Sequence, residues 1–183
     1  MSLVRLFKEG DIRAPLAYGF NLEGNMHRRL IHSFASNTIR SRILFTLNDA
    51  DAAELERFIP LATSIFNNSS LKGPFKNFED SYSVHTSELA FTSLMIGLES
   101  IFHKRGNKKI GEEISMNCSQ LIAINETDRI LIAKKLLKLY SKRNGIMHEG
   151  KRVEQADILL LRDYLRRSIK EIHLSGMNPV VSV

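Results

Sequence analysis

The chain has 183 residues, 43% apolar and 25% charged, with a net charge of +6. That is ordinary for a globular protein and fits one domain with a sizeable core, or a domain with an appended subdomain. No apolar run approaches the ~18–20 residues that span a bilayer, and Arg5, Lys8, Glu9 and Asp11 break up any signal-peptide pattern. The single cysteine, Cys118, has no internal disulfide partner, so a reducing cytoplasm is the expected compartment and a small core residue its expected role.

Residues 1–25, with Gly10, Pro15, Gly19 and Gly24, read as irregular or short elements. Ile39, Ile43, Phe45 and Leu47 fall at alternate positions and predict a strand over 39–47, paired with a second strand around Met26, Leu30 and Phe34. Asn48-Asp49 offers an N-cap for a helix reaching Ile65, and 67–80, which contains Gly73-Pro74, reads as a loop.

The remainder is helical by spacing. A helix over 81–103 places Leu94, Leu98, Ile101 and Phe102 together, and Arg105-Gly106-Asn107 ends it. Helices follow over 108–123, from Thr127-Asp128 to Gly150 with Ile130, Ala133, Leu137 and Tyr140 on one side, and over 154–173 with Ile158, Leu161, Leu165 and Ile169 inward. Short loops between four helices make an antiparallel bundle the economical packing.

Charge is uneven along the chain. Residues 1–102 carry 10 Lys/Arg and 11 Asp/Glu, a sum of −1, whereas 103–183 carry 16 and 9, a sum of +7. A polyanion such as RNA suits the basic half, and Lys134, Lys135, Lys138, Lys142, Lys151 and Arg152 are its candidate contacts. A solvated lysine-rich face would give the same composition.

The basic half also holds Leu139-Tyr140-Ser141-Lys142-Arg143-Asn144-Gly145-Ile146-Met147-His148-Glu149-Gly150. Arg143 supplies a permanent planar cation suited to phosphate. His148 supplies the side-chain type that titrates nearest neutral pH. Asn144 shares a helix face with His148 at i, i+4. Asn144 and Gly145 are poor helix formers, which points to geometry rather than propensity as the reason for their presence. An amide, a phosphate-gripping cation and an imidazole are the parts for cleaving RNA without a metal. Glu99 lies among Met95, Ile96, Phe102 and His103 on its helix, at the margin of an apolar face. A carboxylate there needs a partner, and Arg143 or His148 is the expected one. His27, His32, His85, His103 and His173 are scattered without metal-ligand spacing, so no metal site is expected. No phosphate-binding glycine loop, nucleophile elbow or helix-turn-helix pattern is present.

Arg143-Asn144-x-x-x-His148 resembles the Arg-x4-His motif of HEPN domains, where a polar residue commonly follows the arginine. The segment 91–102 is similar to the ALE-x-LF helix of the Apea-like branch of that family. Residues 110–123 sit where its next amphipathic helix lies, and Leu139-Tyr140-x-x-Arg143 to His148-x-Gly150 resembles its LY-x-x-R…H-x-G signature. The order of elements fits over roughly 40–175.

The resemblance implies a mainly α fold with a HEPN-type antiparallel four-helix bundle over 81–175; the elements read along 1–80 add a smaller α+β extension, and 176–183 are a tail. The resemblance also implies a metal-independent, cofactor-free endoribonuclease of bacterial defence or toxin systems acting on single-stranded RNA. Arg143, His148 and Asn144 would be catalytic, with Glu99 anchoring them. One histidine per motif cannot serve as both acid and base, and the family's answer is a symmetric homodimer with two motifs at one cleft. A regulatory partner protein is compatible with that context, its identity unknown. The alternative is a non-catalytic HEPN-like dimerisation module that binds RNA, a nucleotide or a protein.

Overall fold

The structure, a computed structural model, describes residues 2–8, 16–19, 29–33, 46–65, 67–104, 106–149 and 151–175, with backbone alone at 2–4, 16–19, 29–33, 61–63 and 147–149. Those residues are mainly helical. In chain order they form α1 (Ser2–Phe7), β1 (Leu16–Gly19), β2 (Arg29–Ser33), α2 (Asp49–Ile65), α3 (Ser69–Ser83), α4 (Ser87–Phe102), α5 (Ile110–Ile122), α6 (Glu126–Glu149) and α7 (Gln155–Ser175).

β1 and β2 pair antiparallel, Leu16 opposite Ser33 and Gly19 opposite Arg29, with a register irregularity between Ala17 and Tyr18. The expected strand around 26–34 is present at Arg29–Ser33. Leu16–Gly19 pairs with β2, and most of the expected 39–47 strand lies outside the described residues. The chain re-enters at Asn48, which caps α2. Asp51 N–H donates to Asn48 Oδ1 at 2.8 Å, and Asn48 N–H donates back to Asp51 Oδ2 at 3.1 Å. Lys8 Nζ, 2.6 Å from the same carboxylate oxygen, ties the end of α1 to this cap. The Lys8 hydrogen bond is the main reason that Asp51 titrates below the ordinary aspartate range.

The predicted loop over 67–80 is instead helix α3. Asn68 Oδ1 accepts from Ser70 N–H at 3.0 Å and starts it. Pro74 lies inside the helix, where a proline removes one backbone hydrogen bond and costs ~3 kcal/mol. Leu71, Phe75, Phe78 and Tyr82 at helical spacing are all buried, and each is worth about 1.5–3 kcal/mol of apolar burial. Four such side chains outweigh the proline. The helix expected over 81–103 accordingly divides: α3 ends at Ser83, and Thr86 Oγ1 accepts from Leu89 N–H at 3.2 Å to begin α4.

α4 is the hub of the core. It packs against α3, α5, α6 and α7, and Ala90, Phe91, Leu94, Met95, Leu98, Ile101 and Phe102 are all buried. α7 faces it with Ile158, Leu161, Leu165 and Ile169, each fully buried, as the spacing predicts. α6 turns differently from its predicted face. Ile130 and Leu137 are 60% and 41% exposed, while Ile132, Leu136, Leu139 and Ile146 are buried. One buried cluster runs from Leu6 to Ile172.

Two buried cations tie three elements together. Arg162 of α7 is fully buried; its Nε donates to Ser81 Oγ at 3.1 Å and its Nη2 to the Ser81 carbonyl. Its guanidinium lies 3.8 Å from the Tyr82 ring centroid, and Arg5 of α1 lies 4.5 Å from the same centroid. Arg5 also approaches Glu79 at 3.5 Å. No described helix is long and apolar enough to cross a membrane.

Phe78→Ala should cost about 3–5 kcal/mol in urea unfolding, the range for deleting a buried aromatic side chain. A loss under about 0.5 kcal/mol, typical of a surface loop, would contradict α3 as a core helix.

Candidate functional site

Three helix ends converge: the last turns of α4 and α6 and the first turn of α5. The approach of α5 to α6 depends on Gly111. A Cβ built there would lie 2.5 Å from Tyr140 Cδ1, so only glycine lets the Tyr140 ring seat against the start of α5. Ser115 Oγ donates to the Gly111 carbonyl at 2.6 Å and is buried at that contact.

Tyr140 in turn sits one helical turn before Arg143. Arg143 Nη1 approaches Glu99 Oε1 at 2.9 Å, and Nη2 donates to Glu99 Oε2 at 3.4 Å. The shorter approach is a charge contact off the hydrogen-bond line, so Oε1 is buried without a hydrogen bond, as is Arg143 Nε. The Tyr140 hydroxyl accepts from Nη1 at 3.4 Å, with the guanidinium 5.8 Å from its ring centroid. Burial, reinforced by the negative charge of Glu99, pushes the Tyr140 phenol above its ordinary range. At neutral pH it is therefore a neutral donor and acceptor. The Arg143 side chain is 29% exposed and that of Glu99 21%. This pair lies between a surface ion pair, worth ~0–1 kcal/mol, and a buried one whose rupture costs ~3–5 kcal/mol.

Asn144 follows Arg143 and points elsewhere. It is exposed and lines a cavity of about 730 Å3 together with Lys138, Ser141, Lys142, Gly145, Ile146, Lys151, Arg152 and Glu154. The chain returns past Gly145. The Gly145 carbonyl accepts from Lys151 N–H at 3.3 Å, and a Cβ there would meet Lys151 Cδ at 2.8 Å. Lys142 is fixed by Asp157 of α7, Nζ to Oδ2 at 2.7 Å, and that hydrogen bond raises its pKa against the opposing effect of burial.

The sequence-derived residues thus separate into groups. Glu99 and Arg143 are brought together. Asn144, Lys138, Lys142, Lys151 and Arg152 surround one cavity on a neighbouring face of α6. Lys134 and Lys135 are exposed and do not line it. His148 belongs to the helical backbone of α6, and its side chain lies outside the described residues. Sequence reasoning missed Asp157 and Gly111. Neither carries a local signal, because each acts on a residue that tertiary packing selects. It also missed His103–Glu113, Nδ1 to Oε2 at 2.9 Å, which ties the end of α4 to α5.

Comparison of the chain with protein-family models, curated proteins and solved structures gives no match in any of the three. The chemistry must therefore be argued from these residues. Among the described residues, no three His, Cys, Asp or Glu side chains gather as metal ligands. Cys118 is buried, and burial pushes its thiol up to about 12, so it is a packing residue and no nucleophile.

Glu113 gives a pH prediction. Its carboxyl is held below the ordinary glutamate range, chiefly by the His103 hydrogen bond. A depressed folded-state pKa stabilises the fold above the unfolded value of 4.5, and that contribution disappears as pH falls through the folded value. Urea unfolding of Glu113→Gln should therefore show a stability deficit against wild type near neutral pH that shrinks as the pH falls below this window. A deficit independent of pH would contradict the linkage.

Proposed function

We propose that the chain is a metal-independent endoribonuclease of HEPN type, acting on single-stranded RNA in a bacterial defence or toxin context. The observation that carries the reading is the Arg143 guanidinium held by Glu99 and Tyr140 one residue before a cavity edged by four cations. A guanidinium oriented by a carboxylate is pre-organised for phosphate, and positioned cations beside it can hold the rest of an RNA backbone.

The chemistry needs no metal. The RNA 2′-oxygen attacks the adjacent phosphorus as its proton passes to a base. The P–O5′ bond breaks, and the 5′-oxygen leaves as a hydroxyl once protonated. The products are a 2′,3′-cyclic phosphate and a 5′-hydroxyl. His148 is assigned the proton transfer, worth about 10²–10⁴-fold. Arg143 is assigned stabilisation of the pentacoordinate phosphorus, Glu99 and Tyr140 the orientation of Arg143, and Asn144 a hydrogen bond to substrate. In this reading α4–α7 are the antiparallel four-helix bundle, the N-terminal residues are its α+β extension, and the protein works in the cytoplasm. A symmetric homodimer brings a second His148, so that one imidazole acts as base and the other as acid. The +7 charge of residues 103–183 supplies the field that attracts RNA.

Purified protein should cleave single-stranded RNA in EDTA and leave 2′,3′-cyclic phosphate ends, with 2′-deoxy substitution at the cut site blocking the reaction. His148→Ala should slow cleavage by at least about 10²-fold, and Arg143→Ala by a comparable factor, each with an unchanged circular dichroism spectrum. Cleavage that requires Mg²⁺, or that survives His148→Ala, would refute the mechanism. RNA binding without cleavage under any condition would favour a non-catalytic binding module. Sedimentation at tens of micromolar should give a dimer, consistent with a standard interface of ~800 Å² per partner; a strict monomer would contradict the two-histidine arrangement.

A further inference from the structure

The outer side of α6 carries apolar residues that the core does not use. Ile130, Ala133 and Leu137 form a stripe at i, i+3 and i+7, and Ile130 and Leu137 are exposed. Met116 of α5 is 67% exposed. Between the two helices Met116, Ser119, Gln120, Arg129, Ile130 and Ala133 line a recess of about 250 Å3, and Leu137 continues the stripe one turn beyond it. Single exposed apolar residues are ordinary on a surface. Several that meet across two helices and line a recess are the mark of an interaction face.

The charges around this recess are balanced except along one edge. Arg129 pairs with Glu126 at 2.6 Å, and on the α5 side Lys109 pairs with Glu112 and His103 with Glu113. Lys134 and Lys138 follow Ile130 at i+4 and i+8, so they run beside the apolar stripe. Both are exposed, and neither has a carboxylate partner among the described residues. At about 100° per residue, Lys134 lies about 180° round α6 from Arg143. This face is therefore distinct from the site at Arg143.

We infer that the α5–α6 face docks an acidic amphipathic helix of a partner protein. Such a helix presents apolar anchors at i, i+3 or i+4 and i+7, the spacing that Ile130, Ala133 and Leu137 offer. Its anchors fill the recess beside Met116, a side chain that adapts to irregular apolar contacts, and its flanking carboxylates meet Lys134 and Lys138. Other occupants fit less well. A second copy related by a two-fold axis would set this patch, with its unpartnered lysines, against itself. A single RNA strand needs aromatic platforms for its bases, and the recess has none. A bilayer surface takes a protruding apolar face, and here the apolar residues line a hollow. The docking face is independent of whether the chain cleaves RNA.

The test is fluorescence anisotropy of a labelled, helix-stapled peptide of about 18 residues, about five turns, titrated with the full chain. The peptide carries leucines at i, i+3 and i+7 on one face and glutamates elsewhere. It should bind with a Kd below about 100 μM, and a scrambled peptide of the same composition at least about 10-fold more weakly. Ile130→Asp and Met116→Asp should each weaken binding by at least about 10-fold, with unchanged circular dichroism, since both side chains are exposed. Leu89→Asp, at an exposed position of α4, should not weaken it. The Lys134→Glu/Lys138→Glu variant should lose affinity for the glutamate peptide and gain affinity for a lysine version of it, an exchange that misfolding cannot produce. Absence of binding by wild type, equal binding of the scrambled peptide, or equal binding by Ile130→Asp overturns the inference. So does sedimentation in which Ile130→Asp turns a dimer into a monomer, which would make the face a contact between copies. Peptide affinity intact in the lysine variant while RNA affinity falls would also overturn it and give those cations to RNA.

Discussion

The structure depends on the burial of α4. Helices surround it, and between Glu88 in its first turn and its end at Phe102, Glu99 is its only charged side chain. Packing α3, α5, α6 and α7 around one apolar helix generates the core. It also forces the last turn of that helix to bring Glu99 out of bulk water. A carboxylate in that position is stabilised by a nearby cation. Arg143 is that cation, and the rotation of α6 that buries Ile132, Leu136, Leu139 and Ile146 turns it toward α4. The energetic need of the core and the geometry of the candidate site are thus one constraint. The helix that requires enclosure supplies the group that orients the guanidinium.

The same rotation distributes the other groups on α6. With Arg143 turned toward α4, Asn144 lies about 100° further round and faces the cavity instead. Lys138, Lys142 and Gly145 share that side, and the chain folds back over Gly145 to add Lys151 and Arg152. Tyr140 is held on the α5 side by the missing side chain of Gly111. Gly111 thus sets one flank of Arg143, since a Cβ there would collide with the Tyr140 ring, whereas at Gly145 a Cβ would meet only the flexible end of the Lys151 side chain.

How far the sequence disclosed this arrangement varied with the physics of each segment. α7 was legible because charged residues separate its stripe from Arg162 to Glu171, even though Ile158, Leu159, Leu160 and Leu161 run consecutively at its start. α6 was not, since Ile130, Leu131, Ile132, Ala133, Leu136 and Leu137 surround the helix. Periodicity there supports two faces, and the one containing Ile130 and Leu137 is exposed. α3 was read as a loop because Gly73-Pro74 is a strong local breaker, but four buried side chains at helical spacing override it. At the site, the need of Glu99 for a partner followed from desolvation alone and narrowed the choice to nearby cations. Asp157 could not be singled out the same way, because several acids and several lysines compete in the basic half and only packing chooses among them.

In the proposed mechanism Glu99 works through Arg143 to set the geometry for phosphate chemistry. A double-mutant cycle on the initial rate of RNA cleavage in EDTA, using Glu99→Gln, Arg143→Gln and the pair, tests it most directly. The double variant should be no slower than Arg143→Gln alone, with a coupling energy within the ~0.5–3 kcal/mol range of residues that act as one network. Effects that simply add, or a Glu99→Gln enzyme as fast as wild type, would contradict it.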